Sequence, residues 1–98
     1  MNTTARTIDK FNGYTLTRTN HGTWKIEGDN NGHVRIDTAA TIDWENRTTT
    51  TEVFVNIVST GAIAPDEAAN MADEIMRASQ TAKYFTDVIA KLEAEQVA

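Results

Sequence analysis

The last third of the chain constrains what the rest can be. From residue 68 the apolar side chains fall at 68, 71, 75, 78, 82, 85, 89 and 92, in steps of three and four, with no glycine or proline from Asp66 to Ala98. That spacing lays one apolar stripe along an α-helix. Pro65, followed by Asp66 and Glu67, supplies the start: a fixed φ in the first turn, then negative charge at the positive end of the helix dipole. The predicted helical segment is 65–96. Asp66, Asp73, Gln80 and Asp87 lie on its far side, and Asp73–Arg77 and Asp87–Lys91 have the acid-first spacing of four that favours helical ion pairs.

A straight helix from Pro65 to Glu95 would be roughly 46 Å long at ~1.5 Å per residue. A domain of this chain length is about 34 Å across. Either the helix kinks near Ser79-Gln80-Thr81, where short polar side chains compete for backbone hydrogen bonds, or one end overhangs. The average repeat of 3.5 also suits an intermolecular coiled coil. Ala68, Ala78 and Ala82 suit close seating on a β-sheet better than a zipper.

The first two-thirds carries the alternation of half-buried strands. Tyr14–Thr19, Thr23–Glu27, His33–Asp37, Thr41–Glu45 and Glu52–Val58 are predicted strands, with turns at Asn20-His21-Gly22, Gly28–Gly32 and Asn46-Arg47. If the first hairpin pivots at His21, Leu16 faces Ile26 and Arg18 faces Trp24. If the second pivots at Asn30, Ile26 faces Val34 and Trp24 faces Ile36, so every apolar residue shares one face. Thr15, Thr17, Lys25, Glu27, His33, Arg35 and Asp37 fall on the wet face. Val53, Val55 and Ile57 point inward. Phe54 and Val58 point outward and call for a cover, either the N-terminal arm or another chain.

The fold class expected is therefore α+β: an antiparallel meander of four to five strands over 14–58, then one long helix, continuous or kinked, packed on one sheet face. Residues 1–12 are weakly patterned and read as a polar arm anchored by Ile8 and Phe11, and 1–98 as a single domain. Trp24 and Trp44 both have inward parity and read as core. Arg18 stacked on an exposed Trp24 would instead mark the open face as a binding surface.

The chain has no cysteine, so disulfides and thiolate metal sites are excluded. The polar start Met1–Arg6 lacks the apolar stretch of a secretory signal, and no run approaches the ~20 apolar residues of a membrane span. A cytoplasmic protein without membrane contact is expected. Residues 1–64 hold six Lys/Arg against seven Asp/Glu and 65–98 hold three against seven, so most of the net charge of −5 belongs to the helix. Direct nucleic-acid binding is not expected of such a balance, because affinity for phosphates rests on Lys and Arg.

No catalytic, cofactor or metal constellation emerges. The glycines sit at turns rather than in a phosphate loop. Glu27–Gly32 has a faint likeness to a calcium loop, but the twelfth position is Thr38 where a bidentate carboxylate is needed. His21 and His33 belong at opposite ends of a strand, about 17 Å apart at ~3.4 Å per residue, too far to share an ion. Asp43 and Glu45 flank Trp44, with Asp37 near, but no cleft is predicted between them for a carboxylate pair to work in.

The expectation is a non-enzymatic interaction protein without cofactors, engaging a protein partner with a basic surface through Asp66, Asp73, Glu74 and Asp87 of the helix and Asp37, Asp43 and Glu45 of the sheet. Its sharper form is a phage- or plasmid-type inhibitor of a nucleic-acid-processing host-defence system, anti-CRISPR-like, whose carboxylates occupy a cleft built for phosphates. The alternative is a homodimeric assembly module that uses the Phe54/Val58 side or the helix end.

Overall fold

The computed structural model describes residues 5–28, 33–58 and 61–97, residues 96 and 97 by backbone alone. The turn at 29–32, with the loop weighed for calcium, and the break at Ser59-Thr60 lie outside the described residues. The architecture is α+β, with five strands, β1 (Arg6–Phe11), β2 (Tyr14–Arg18), β3 (Trp24–Gly28), β4 (Val34–Asp43) and β5 (Thr48–Ile57), followed by one helix, α1 (Pro65–Val97).

The strands form two antiparallel sheets, β1-β2-β3 and β4-β5, where the sequence predicts one. Leu16 faces Ile26 and Arg18 faces Trp24, as the hairpin arithmetic requires. The expected Ile26–Val34 and Trp24–Ile36 pairs are absent from the ladders of the described residues. β4 lies beside β3, and the Thr38 hydroxyl donates to the Trp24 carbonyl at 2.8 Å. β4 is paired along all ten residues with β5, from Val34↔Ile57 to Asp43↔Thr48, and among the described residues its tie to β3 is the Thr38 side-chain hydroxyl on the Trp24 carbonyl rather than a backbone ladder. The segment 38–40, expected as a connector, is part of that strand.

The N-terminal arm is likewise corrected: residues 6–11 form β1, paired with β2. Asn12 (φ 53°) and Gly13 (φ 82°) make the two-residue turn between them, a left-handed pair that asparagine and glycine adopt at least cost. The pairing slips between Thr7 and Asp9, where Ile8 is the extra residue of a β-bulge. Beyond the bulge, Asp9 faces Leu16 and Phe11 faces Tyr14, so both project to the buried side of the sheet. There the Tyr84 hydroxyl donates to Asp9 at 2.6 Å, and the Phe11 and Tyr84 rings stack with centroids 4.2 Å apart.

One core joins strands and helix. Tyr14, Leu16, Trp24, Ile26, Val34 and Ile36 bury against Met71, Ala78, Ala82, Phe85 and Ile89, with Ile75 and Leu92 half-buried at the same cluster. The helix runs closest to β5 and β4. It is one unbroken helix through Ser79–Thr81. Thr81 is fully buried, yet its hydroxyl donates to the Arg77 carbonyl at 2.7 Å, so the polar group that threatened the helix is satisfied within it.

The mismatch of lengths is resolved by shape: the molecule measures 49 × 31 × 20 Å, and 33 helical residues at ~1.5 Å each span about that long axis. The overhang is at the N-terminal end. Residues 64–70 are exposed, including Ala68, so the buried stripe begins at Met71 rather than at 68. Neither Asp73–Arg77 nor Asp87–Lys91 closes to an ion pair. Those within 4.0 Å among the described residues are Lys25–Glu27 and Arg35–Asp37.

Phe85 is wholly buried where strands and helix meet, and the exposed Met76 lies outside that contact. Phe85→Ala should cost about 3–5 kcal/mol by chemical denaturation, and Met76→Ala no more than about 0.5 kcal/mol. Equal effects would contradict the assignment of the buried face.

Candidate functional site

The exposed groups with a defined geometry lie mainly on the β4–β5 hairpin. Every residue from Ala39 to Thr50 is exposed. Trp44, predicted to be core, stands in the turn with 80% of its surface accessible. Its parity argument assumed that β4 keeps its inner face covered to the end. That face is covered only as far as Thr38, and Ile42, on the same side, is half exposed.

The turn that carries Trp44 is held by Asp43. One carboxylate oxygen accepts the backbone N–H groups of Glu45 (3.0 Å) and Asn46 (3.3 Å), while the other accepts the Asn46 side-chain amide (2.8 Å). This is the hydrogen-bonding of an aspartate-capped turn. The Asn46 side chain first, then its backbone N–H and that of Glu45, hold the Asp43 carboxyl below its ordinary value of 3.8. Arg47 closes the turn in the left-handed region, φ 54°. Trp44 is thus mounted on a fixed loop.

Asp37, on the outer face of β4, accepts from Arg35 Nε at 3.2 Å and from the Asn56 amide. It is occupied in a lattice beside Phe54, its cross-strand neighbour, which is 42% exposed. Phe54 and Val58 have no cover among the described residues. Asp43 and Glu45 adjoin each other in the turn, Asp37 lies toward the far end of the same strand, and the four helical candidates divide. Asp66, Asp73 and Asp87 are exposed, whereas Glu74 is half-buried, with Oε2 shut off from solvent and without a partner among the described residues. The seven candidates therefore do not converge on one spot.

The Arg18 guanidinium lies 4.2 Å over the Trp24 ring, as the cross-strand pairing suggested, but the ring is buried and part of the core rather than an open platform. His21 is exposed, and His33 Nδ1 lies 3.2 Å from the Val58 carbonyl at the end of the hairpin. No group of three or more His, Asp or Glu side chains converges among the described residues. No described helix is long and apolar enough to cross a membrane.

Sequence reasoning missed Trp44 as an exposed residue and Tyr84 as a tie to β1. An aspartate three residues before an asparagine, with a tryptophan between them, was the available signal for the first. The chain was compared with protein-family models, curated proteins and solved structures, and none matches.

Two pH effects follow. Hydrogen bonding to Asp9, then desolvation, raise the Tyr84 pKa above 10.0, so its contribution is complete below the ordinary tyrosine value and is lost as pH climbs through the raised one. The lowered Asp43 pKa has the opposite sign: its contribution is present above 3.8 and is lost as pH falls through the lowered value. Carbon-detected titration of the Asp43 carboxyl should give a midpoint below 3.8, and Asn46→Ala should move it back up. A midpoint indifferent to Asn46→Ala would contradict the capped turn.

Proposed function

We propose that the chain is a non-enzymatic interaction protein of the cytoplasm that engages a protein partner through the β4–β5 hairpin and the acidic back of α1. The observation that carries this is Trp44, 80% exposed on a turn fixed by Asp43. A large ring left in water is an unfavourable use of apolar area, and tryptophan is the residue most enriched among interface hot spots. The exposed carboxylates Asp66, Asp73 and Asp87 favour a partner with a basic surface around the pocket that receives the ring. In its sharper form the reading is an inhibitor of a nucleic-acid-processing defence system, anti-CRISPR-like, which rests on charge and small size alone.

With a partner in hand, Trp44→Ala should weaken binding by about 2 kcal/mol or more, roughly thirtyfold. Reversing Asp66, Asp73 and Asp87 to lysine should slow association and flatten its dependence on ionic strength. Affinity unchanged by Trp44→Ala removes the hairpin from the interface. Affinity indifferent to salt removes the charge-based form.

A homodimer is the second reading, favoured by β5. Among the described residues its backbone ladder pairs with β4 alone, it carries one charge, Glu52, and Ile57 and the adjoining Val58 are about half exposed. An edge of that kind invites pairing with another copy. Sedimentation at micromolar concentration decides between the two, and a strict monomer leaves the second without support.

A further inference from the structure

Three distant parts of the chain meet around a cleft of about 180 Å³: the end of the β2–β3 hairpin, the start of β5 and the C-terminal third of α1. Arg18 and Arg47 both line it, two of the nine cationic side chains of an acidic protein. Glu93 lines it too, and its carboxylate accepts from the Thr51 hydroxyl at 2.8 Å. The mounts are fixed before anything binds. Arg18 is held over Trp24, and Arg47 is delivered by the turn that Asp43 caps. The β2–β3 rim is tied by Thr19, whose backbone N–H donates to the Thr23 carbonyl at 2.9 Å and whose hydroxyl accepts the Thr23 N–H at 3.1 Å. Arg47 makes no hydrogen bond or ion pair among the described residues.

We propose that this cleft binds a small organic anion that also carries a hydrogen-bond donor, an amino- or hydroxy-carboxylate. Planar guanidinium groups present paired N–H donors that match a carboxylate. A plain anion would meet repulsion from Glu93, whereas an ammonium or hydroxyl on the same molecule turns that carboxylate into an acceptor. A cleft lined by both cationic and anionic side chains selects for a ligand with both functions, and the volume admits one of amino-acid size. The cleft shares Arg47 and the start of β5 with the hairpin of the partner-binding reading, but neither Trp44 nor the exposed helical carboxylates line it, so their variants test that reading separately.

The test uses the full chain with Trp44→Phe, which leaves Trp24, in the wall of the cleft, as the sole indole. Titration with L-serine should change its fluorescence saturably and shift the Gly22 and Thr49 amides, with acetate and inorganic phosphate binding at least tenfold more weakly. Arg47→Gln, a change at an exposed position, should weaken serine binding about tenfold, and Glu93→Gln should erase the preference for serine over acetate. Far-UV circular dichroism confirms that both variants are folded. The absence of a saturable change with serine into the high-millimolar range overturns the proposal. So does binding untouched by Arg47→Gln, or acetate binding as tightly as serine.

Discussion

The molecule depends on the burial of one helical stripe, Met71 to Ile89, against apolar residues from three different strands. Ala78 and Ala82 are small enough for the helix backbone to approach closely, and Phe85 and Ile89 fill the core beyond them toward the C-terminal end. Neither partner is stable without the other. A two-stranded ribbon and a three-stranded sheet, each bare on one face, lack the buried area that independent stability requires, and a lone helix gains most of its stability from packing. The helix therefore organises the strands. It reaches β1 through Tyr84 and β5 through Glu93, touching strands at opposite limits of the sheet order.

From this constraint the functional asymmetry follows. The core lies between β2, β3, the first half of β4 and the helix stripe, so most of the far half of the β4–β5 ribbon is left exposed, tied to the helix by Thr51 on Glu93. Threonine is well suited to such a segment. Its branched side chain favours extended backbone while its hydroxyl stays compatible with water, and four successive threonines open β5. The ribbon is kept in register by pairing rather than by burial, and the Asp43 turn fixes its end. A long, uncovered, hydrogen-bonded arm ending in an indole is suited to recognition by another molecule.

Much of the fold was legible because it is written in periodicity. The helix stripe, the Leu16–Ile26 and Arg18–Trp24 pairs and the alternation of β5 as far as Val55 are all patterns repeated several times over, whereas Ile57, of inward parity, is 55% exposed at the strand's end. What escaped was set by single residues. The bulge at Ile8 breaks the alternation of β1, so that Ile8 and Phe11, three apart, look unpatterned although both reach the core, and the Asn12-Gly13 turn was the missed sign of that hairpin. Trp44 has the parity of a core residue, but parity states which face a residue takes and not whether that face is covered. The division of the sheet between β3 and β4 escaped because alternation sets which face a residue takes and not which strand its backbone pairs with. The candidate site was least legible for the same reason: acidic residues could be counted from the sequence, whereas the convergence of Arg18, Arg47 and Glu93 required the fold.

Native-state hydrogen exchange tests the shared core most directly. If helix and strands stand together, the amides of α1 from Met71 to Leu92 and those of β2, β3 and the first half of β4 will share a common high protection. The hairpin beyond Thr38 will exchange through a separate, lower-energy opening. Helix amides that exchange rapidly while the strands remain protected, or a hairpin tip as protected as Leu16, would contradict the account.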